Sequence, residues 1–511
     1  MIRNAPLGSL FGTSFKHVNP RVHPHGLRSI TGLVLTGKYN SDDKKTLEVS
    51  ACAKEFDRIS SSKLSNSVAV SKIKGSRTFY GLHENYAAVA VAVLSESGNL
   101  DYDNASRNMN TESLRSAIGA AVQALMADEQ VDKIEIDNSV CAKTAAEASH
   151  LAIHRFDHLK TKKRLPPILS PCSLSSTNES TEWDEGSVMG KCQNFSRFLM
   201  EMPANHMTPT KFVETVKEKV ESEGLSDIIS VIVRDREWIS EQKMGSFLSV
   251  SAGSAEPPFL LELHYRNSES DPICLVGKGV TFDTGGISIK PSKGMDAMRA
   301  DMGGAACVAG ATIGAAQLNL PINLITLIPL CENMPSGSST KPGDVVTAMN
   351  GITIQVDNTD AEGRLILADS LCYADTFKPA HVIDMATLTG AMAVALGGEC
   401  VGTYSTCNTL WNALERGGYN SGDRLWRMPL FKEYADSLKS ATADVNNISS
   451  GPYGGSITAA KFLQKFVKCK SWAHLDIAGV MDSTDSMSYL SKGMSGRPTR
   501  SVIEALKELS K

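Results

Sequence analysis

The sequence predicts an α/β protein with a small N-terminal α/β domain and a larger C-terminal α/β domain, whose central mixed sheet is covered by helices. Short apolar runs, typical of buried strands, alternate with longer stretches in which apolar residues recur at helical spacing. A Ser-, Thr- and Asn-rich segment at residues 170–181, which predicts a loop, interrupts this alternation, and the alternation then resumes. The chain has 511 residues, which is long enough for two or three domains.

The smaller domain is predicted at residues 30–175. Its apolar runs, which predict buried strands, are Gly32–Leu35, Ala87–Leu94 and Val131–Ile136. Apolar residues at helical spacing predict helices over Ser113–Met126 and Thr144–Leu159. Residues 176–207 are predicted to link the domains, because Gly186–Met202 has a helical pattern that Pro203 would end.

The larger domain is predicted at residues 208–511, where a second α/β series begins near Pro209. Its predicted strands are Ile228–Val233, Phe259–Tyr265, Pro272–Gly277, Leu324–Pro329, His381–Met385 and Ala473–Ile477. Its predicted helices are Gly303–Gln317, Leu365–Phe377 and Thr458–Val467. This alternation favours a central sheet with helices on both faces. The glycine-rich segments 397–398 and 451–455 mark loops where a ligand can approach the backbone.

Composition argues against several classes of protein. The formal net charge of −4 gives no basic field for nucleic acid. No apolar run approaches the length of a membrane span. The eleven cysteines show neither a CxxC pair nor zinc-finger spacing, which is typical of reduced thiols in an intracellular protein. HExxH is also absent, so a metal site would depend on carboxylates.

The first 29 residues are predicted to be a targeting leader. The first 41 residues contain no Asp or Glu, and their basic residues are Arg3, Lys16, Arg21, Arg28 and Lys38. This composition favours a mitochondrial presequence, and hence a location in the mitochondrial matrix. Three prolines restrict any amphipathic helix in the leader to short pieces. A disordered tail on a cytoplasmic protein is therefore the alternative.

Acidic and basic residues are concentrated in the segment Asn358–Leu365. Asp360 and Glu362 offer carboxylate oxygens to divalent cations, and Arg364 offers a guanidinium to an anion beside them. Alone, this segment could also be a solvated turn whose acids suit the dipole of the helix that follows. Two upstream segments favour the metal site, because they contribute Lys278, Asp283, Lys290 and Asp301.

The sequence places part of this group at a sheet edge. Lys278 and Asp283 are predicted at the C-terminal end of the strand Ile273–Gly277, where open α/β sheets usually bind ligands. Asp301 precedes one predicted helix, and Glu362 begins another. Several carboxylates suit a metal site at this edge, because two divalent cations close together need bridging negative charge.

Further motifs occur in one order along most of the chain. They are Thr78–His83, Glu201–Asn205, Leu330–Gly337, Ala386–Gly390, Trp472–Gly479 and Gly493–Thr499. Together with the acidic and basic segments, they resemble the M17 leucyl aminopeptidase (cytosol aminopeptidase) family of two-zinc exopeptidases. The resemblance implies a two-metal aminopeptidase that removes the N-terminal residue, preferably Leu or another apolar residue, from di- and oligopeptides.

The resemblance also implies which residues bind two divalent metal ions, Zn²⁺ or Mn²⁺. The implied ligands are Lys278, Asp283, Asp301, Asp360 and Glu362. Asp283 and Glu362 would bridge the two ions. A lysine ligand is unusual, because its ammonium must first lose a proton, which a nearby dication favours. The alternative for Lys278 is an ion pair with Asp283.

Lys290 and Arg364 are the implied catalytic residues. A protonated Lys290 would stabilise the negative charge that develops on the peptide carbonyl oxygen. Arg364 would hold a bicarbonate ion that serves as general base. The alternative for Lys290 is a solvated loop lysine beside Pro291. The sequence Pro-Ser-Lys293-Gly also departs from the family, in which small residues follow Ser-Ile-Lys.

An apolar pocket that selects the substrate side chain is implied as well. Its walls would be Met298, Asn358, Thr387, Leu388, Gly390, Ile448, Ala478 and Met481. The alternative is that the apolar members of this set are plain core. The resemblance further implies a homohexamer that admits short peptides and excludes folded proteins. Two other functions remain open, a Cys-Gly dipeptidase of glutathione turnover and an assembly protein with low activity.

Overall fold

The computed structural model describes residues 30–40, 46–71, 73, 75–95, 101–174, 180–483 and 487–511. The leader predicted at residues 1–29 lies outside these ranges. The described chain forms two compact units. The smaller unit comprises the described residues up to Asn194 together with those of Ser483–Lys492, and the larger comprises Phe195–Asp482 and Gly493–Lys511.

The smaller unit contains a mixed six-stranded sheet. Its strands are β1 (Thr31–Tyr39), β2 (Leu47–Val49), β3 (Ser76–His83), β4 (Tyr86–Leu94), β5 (Lys133–Ile136) and β6 (Ile168–Pro171). Its helices are α1 (Ala51–Ile59), α2 (Lys63–Ala69), α3 (Asp101–Ser106), α4 (Met109–Met126) and α5 (Ala142–Ala152). Helix α6 (Ser180–Glu201) begins in this unit, and its residues from Phe195 onward belong to the larger unit. The strand order is β3-β4-β1-β5-β6, and β2 pairs with β1.

Alternation along β4 explains why this sheet is buried on both faces. Its even-numbered alanines, Ala88, Ala90 and Ala92, pack with residues of α4 and α5. Its odd-numbered valines, Val89, Val91 and Val93, pack in a separate cluster with residues of α1. Successive side chains of a strand point to opposite faces, so one continuous apolar run serves two cores.

Two predicted boundaries in this unit are wrong. The helix predicted at Thr144–Leu159 ends at Ala152, because Ile153 caps it and the Asp157 carboxylate instead accepts a hydrogen bond from the Arg164 backbone N–H at 2.7 Å. The polar segment predicted as loop at residues 170–181 includes the end of β6 and the start of α6. Strand pairing with β5 overrides the polar composition of β6.

The larger unit contains a nine-stranded mixed sheet, which confirms the predicted fold class. Its strands, with those of a separate small sheet, are β7 (Ile229–Arg234), β8 (Phe259–Arg266), β9 (Ile273–Gly277), β10 (Gly279–Asp283), β11 (Asn323–Asn333), β12 (Asp344–Thr347), β13 (Thr353–Val356), β14 (His381–Ala386), β15 (Val401–Ser405), β16 (Leu425–Arg427), β17 (Val445–Asn446) and β18 (Trp472–Asp476). The main order is β16-β15-β18-β14-β9-β11-β8-β7, with β10 on β11, and the small sheet is β12-β13-β17.

Helices of this unit pack around the central strands. They are α7 (Pro209–Ser222), α8 (Arg236–Glu241), α9 (Gly245–Ser251), α10 (Gly303–Gln317), α11 (Gly363–Ala374), α12 (Gly390–Leu396), α13 (Asn408–Ser421), α14 (Gly455–Gln464) and α15 (Thr499–Leu509). Short 3-10 helices lie at Met295–Ala300, Asp375–Phe377, Lys432–Leu438 and Ala478–Val480. Every helix among the described residues is too short or too polar to span a bilayer.

The central strands β18, β14, β9 and β11 are parallel, so their carboxyl ends meet at one edge. Helix α10 approaches that edge unusually closely. A Cβ added at Gly304 would lie 2.0 Å from the Met385 carbonyl oxygen, and one at Gly277 would lie 2.7 Å from the Ala305 Cα. Glycine at both positions therefore permits direct contact between helix and strands.

One strand of this edge was not predicted. After Lys278 the chain enters β10, which ends at Asp283 and pairs with β11. The sequence predicted that Asp283 directly follows β9. This is wrong, because Asp283 is the last residue of β10. The hydrophobicity pattern does not show where β9 ends and β10 begins, because both strands are apolar and Lys278, the residue between them, is itself buried.

Candidate metal centre and active site

Lys278 is held at the edge of the sheet by its own backbone. Its N–H donates to the Met385 carbonyl at 3.0 Å, and its carbonyl accepts from the Ala305 N–H at 2.9 Å. The residue is 3% exposed. Its side chain passes over Gly363, where an added Cβ would lie 2.5 Å from the Lys278 Cε. Glycine at the start of α11 therefore makes room for the lysine.

The Lys278 ammonium contacts two carboxylates. Its Nζ lies 2.8 Å from Asp301 Oδ1 and 2.7 Å from Glu362 Oε1, and it donates to the Thr387 carbonyl at 3.0 Å. The alternative that paired Lys278 with Asp283 is therefore wrong. Burial alone would lower the pKa of Lys278, but the charges of Asp301, Glu362 and Asp283 raise it above its usual range.

Three buried carboxylates converge beside this ammonium. Oxygens of Asp283, Asp301 and Glu362 lie within 4.8 Å of one another. Burial raises the pKa of Asp283, and the charge of Glu362 adds to the effect. Burial likewise raises the pKa of Asp301 well above its usual value, although Lys278 opposes this. Two lysines, Lys278 and Lys290, do not balance the charge of these three carboxylates and the nearby Asp360 in a low-dielectric site, so added positive charge would stabilise the cluster.

The unsatisfied atoms in this cluster fit a metal. Asp301 Oδ2 and Glu362 Oε1 are buried and form ion pairs with the Lys278 Nζ at 2.7 Å, but neither accepts a well-directed hydrogen bond. Carboxylate oxygens are suitable ligands for Zn²⁺ and for harder cations such as Mn²⁺. The donor set and its unsatisfied lone pairs therefore match a divalent cation.

Lys290 and Asp360 lie on the more accessible side of the cluster. The Lys290 Nζ lies 2.8 Å from Asp283 Oδ2 and also pairs with Asp360. Its side chain is only 20% exposed, so Lys290 is not a solvated loop lysine. Burial lowers its pKa, but Asp283 and Glu362 outweigh burial and raise it, so the amine stays protonated.

Arg364 lies in the first turn of α11, and its guanidinium is only partly satisfied. One nitrogen, Nη1, donates to the Asn447 carbonyl at 2.7 Å, whereas the buried Nε has no hydrogen-bond partner. Burial lowers the pKa of Arg364 to about 10, against the charges of Glu362 and Asp476. An unsatisfied guanidinium N–H beside the cluster is a suitable donor to an anion.

Two asparagines that the sequence reasoning missed support these residues. Asn333 donates to Asp283 Oδ1 at 2.7 Å and to the Thr359 carbonyl at 3.0 Å. Asn447 donates to the Asn358 carbonyl at 2.7 Å. Asn333 lies in the motif Leu330–Gly337, so the sequence offered a signal for it, whereas no motif marked Asn447.

A third missed residue, Asp476, lies at the end of β18 and organises the loop after β14. Its Oδ1 accepts from the backbone N–H groups of Leu388 and Ala478, at 3.2 and 3.3 Å. On the other side of this loop, the Thr387 hydroxyl donates to Asp301 Oδ1 at 2.7 Å. The loop therefore connects Asp476 with the carboxylate cluster.

A single cavity of about 590 Å³ brings the predicted residues together. The predicted metal and catalytic residues that line it are Lys278, Asp283, Lys290, Asp301, Asp360, Glu362 and Arg364. The predicted pocket residues that line it are Met298, Asn358, Thr387, Leu388, Gly390, Ile448, Ala478 and Met481. Lining residues that were not predicted are Pro291, Lys293, Gly294, Met295, Ala361, Thr389, Ala391, Ala393 and Gly455.

Solved structures resemble this chain over most of its length. A bottromycin maturation enzyme in complex with Mn has a TM-score of 0.79 and 28% identity, and the match covers 95% of this chain and 100% of that one. A tomato leucine aminopeptidase mutant has a TM-score of 0.79 and 28% identity, and the match covers 94% of each chain.

Sequence comparison finds relatives with higher identity than these solved structures and shows the family of the chain. The cytosol aminopeptidase of Sus scrofa is 46% identical, over 95% of this chain and 94% of the relative. That of Homo sapiens is also 46% identical, over 94% of this chain and 93% of the relative. Residues 194–503 match the catalytic domain of the cytosol aminopeptidase family, and residues 37–163 match its N-terminal domain. The chain is therefore a member of the cytosol aminopeptidase (M17) family.

Proposed function

We propose that this protein is a two-metal aminopeptidase that hydrolyses the N-terminal residue, preferably Leu or another apolar residue, from di- and oligopeptides. Family membership supports the class of reaction. The observation that carries the proposal is the convergence of Asp283, Asp301 and Glu362, with unsatisfied buried oxygens, in the cavity that also contains Lys290 and Arg364.

Five residues would hold two divalent ions, Zn²⁺ or Mn²⁺. They are Lys278, Asp283, Asp301, Asp360 and Glu362. When bound, such ions polarise the peptide carbonyl and lower the pKa of water. The Lys278 amine would have to be deprotonated to serve as a ligand, and added positive charge favours this, because it opposes the carboxylates that now hold the proton.

Lys290 and Arg364 would carry the remaining chemistry. The carboxylates that raise the pKa of Lys290 keep it charged. It can therefore donate a hydrogen bond to the carbonyl oxygen as negative charge develops there. Arg364 would bind a bicarbonate ion through its unsatisfied Nε, and this ion would supply the general base.

The lining residues would define which substrates bind. Apolar side chains such as Met298, Ile448 and Met481 would pack against the side chain of the N-terminal residue. The metal ions that the carboxylates would hold would favour a substrate with a free amino terminus, because a neutral amine is a suitable ligand for a divalent cation. Removal of one residue at a time would follow.

Assembly and location are also proposed. The proposed homohexamer rests on the family resemblance, which the matches over most of the chain support. The basic, acid-free leader supports the mitochondrial matrix, whereas the name of the cytosol relatives supports the cytoplasmic alternative. Mass spectrometry of the protein from isolated mitochondria and from cytosol distinguishes them. A mature N-terminus near residue 30 in mitochondria supports the first, and an intact Met1 on cytosolic protein contradicts it.

The function is tested with purified protein that has been stripped of metal and reloaded with Zn²⁺ or Mn²⁺. Hydrolysis of Leu-Gly, Leu-amide and Cys-Gly is followed together with metal content. Metal-dependent release of Leu at about two ions per subunit supports the proposal. Inactivity of fully loaded protein on all three substrates contradicts it, and cleavage confined to Cys-Gly supports the dipeptidase of glutathione turnover.

A further inference from the structure

Lys293 places an ammonium group at the mouth of the cavity, unpaired within the part of the chain that the structure describes. It is exposed and lines the same cavity as the carboxylate cluster. The other cationic side chains that line the cavity already have partners: Lys278 and Lys290 form ion pairs with carboxylates, and Arg364 donates a hydrogen bond to a backbone carbonyl. Among the described residues, Lys293 has neither an ion-pair nor a hydrogen-bond partner for its ammonium.

A tight turn determines the place of Lys293. The Met295 N–H donates to the Ser292 carbonyl at 3.3 Å, which closes a four-residue turn with Lys293 and Gly294 at its centre. Gly294 has φ 81° and ψ 1°, the angles of the third position in a type II turn, which glycine adopts without strain. The Lys293 backbone is therefore at the tip of an ordered turn.

This turn lies between two parts of the proposed active site. Three residues before Lys293 is Lys290, the proposed carbonyl-binding residue, whose backbone N–H donates to the Thr284 carbonyl at 2.9 Å. Just after the turn, the 3-10 helix Met295–Ala300 carries the pocket residue Met298 and leads into Asp301. If the side chain of a peptide's N-terminal residue occupies the apolar pocket and its amino group lies at the carboxylate cluster, the next residue of the peptide must extend toward the mouth of the cavity.

We propose that Lys293 binds a carboxylate on the substrate residue that follows the cleaved bond, so that the enzyme prefers substrates with negative charge at that residue. This inference rests on the proposed function. The carboxylate has two possible sources. In a dipeptide it is the C-terminus, and in a longer peptide it is the side chain of Asp or Glu. Both present the same group to the ammonium.

The size of the effect follows from exposure. An ion pair at an exposed lysine changes binding by a factor of about two to five, and salt screens it. Lys293 does not touch the reacting carbonyl in this assignment. Its replacement should therefore raise KM for carboxylate-bearing substrates and leave kcat nearly unchanged.

The experiment uses the metal-loaded full chain and four substrates. Leu-Gly and Leu-glycinamide differ only in a C-terminal carboxylate, and Leu-Glu-amide and Leu-Gln-amide differ only in a side-chain carboxylate. The variants are Lys293→Ala, Lys293→Arg and Lys293→Glu. Lys341→Ala is the matched control, since Lys341 is exposed and does not line the cavity.

Lys293→Ala should raise the KM ratio within at least one pair, carboxylate over neutral, about two- to fivefold at low salt. Lys293→Arg should preserve the wild-type ratio, Lys293→Glu should raise it further, and Lys341→Ala should not change it. A raised KM ratio for Leu-Gly over Leu-glycinamide shows that Lys293 binds the C-terminal carboxylate. A raised ratio for Leu-Glu-amide over Leu-Gln-amide shows that it binds the acidic side chain. Unchanged ratios in both pairs, with wild-type activity on the amides, overturn this inference alone. Wild-type protein that cleaves none of the four contradicts the proposed function and this inference with it.

Discussion

Asp476 binds Thr389 twice, through the Thr389 hydroxyl at 2.6 Å and through its backbone N–H at 3.3 Å. The same hydroxyl caps α12, because it accepts from the Met392 N–H at 3.0 Å. Since Asp476 also holds the backbone of Leu388 and Ala478, one buried carboxylate positions two walls of the substrate cavity.

Asp476→Asn should therefore raise KM for Leu substrates about tenfold with a smaller change in kcat, because the amide NH2 that replaces Oδ2 cannot accept the hydrogen bond from the Thr389 hydroxyl. Steady-state kinetics with Leu, Ala and Phe substrates measure the change. Thr389→Ser keeps the hydroxyl and should behave almost as wild type, whereas Thr389→Val should resemble Asp476→Asn. Equal loss of kcat on every substrate with unchanged KM would argue against a role in positioning the pocket.

Glu362→Gln should lower metal content and abolish turnover, because the proposed role of Glu362 is to bridge both ions and a neutral amide is a weaker ligand. Elemental analysis and kinetics on the same preparation test this. Glu433→Gln is a suitable control, since Glu433 is exposed and does not line the cavity. Two bound ions and normal turnover in the Glu362 variant would show that this carboxylate is not a bridge.

Lys290→Ala should lower kcat by about 10²–10³, the loss expected when a donor to a developing oxyanion is removed. Metal content should not fall, because Lys290 pairs with Asp283 and Asp360 as a cation and is not proposed as a ligand. Lys290→Arg keeps the charge and should recover part of the rate. Loss of metal from the alanine variant would identify Lys290 as a ligand and contradict its assignment.

Asp369 predicts a dependence of stability on pH that is independent of the metal cluster. Burial raises its pKa to about 7 from the usual 3.8, although the backbone N–H groups of Phe247 and Met349 donate to it. Between about pH 4 and 7 the folded protein keeps a proton that the unfolded chain has released. The stabilising contribution of the protonated group is therefore complete below pH 4 and is lost as pH rises through 7.

The Asp369→Asn variant removes this titration. The melting temperature of wild type minus that of the variant should fall as pH rises from 4 to 7.5 in a metal-free comparison. A difference that is constant, or that grows with pH, would contradict the raised pKa.

The purified protein should be a hexamer that cleaves short peptides and leaves folded proteins intact, because an enclosed assembly admits only extended chains to its active sites. Closed symmetry would also prevent growth into filaments. Light scattering and size-exclusion chromatography of active fractions measure the state. An active monomer, or efficient trimming of a folded protein with a free N-terminus, would contradict this prediction.

The central strands were predictable because each is a short apolar run buried on both faces. Helix α10 was predicted with its observed bounds for a similar reason, since buried residues fill it from Gly303 to Ala316. The small sheet β12-β13-β17 gave no such pattern. Its strands are only two to four residues long and partly exposed, and Ile354 pairs with Val445, far along the chain.

The candidate site was predictable in its residues but not in its contacts. The resemblance supplied the metal, catalytic and pocket residues, and all of them line one cavity. The partner of Lys278 was not predictable, because Asp301 and Glu362 reach it only through the packing of α10 and α11. Asn447 gave no signal because its side-chain amide donates to the Asn358 carbonyl and its own backbone carbonyl accepts from Arg364 Nη1, and only the tertiary fold brings these groups together.

The close approach of α10 to the sheet limits how this enzyme can be engineered for stability. Replacing helical glycines by alanine is a common way to stabilise a protein, because it reduces the entropy of the unfolded chain. At Gly304 the added methyl group would lie 2.0 Å from the Met385 carbonyl oxygen and 2.8 Å from the backbone nitrogen of Lys278. The helix would have to move outward and carry Asp301 away from Lys278. A substitution chosen for thermal tolerance would thus act as an active-site mutation.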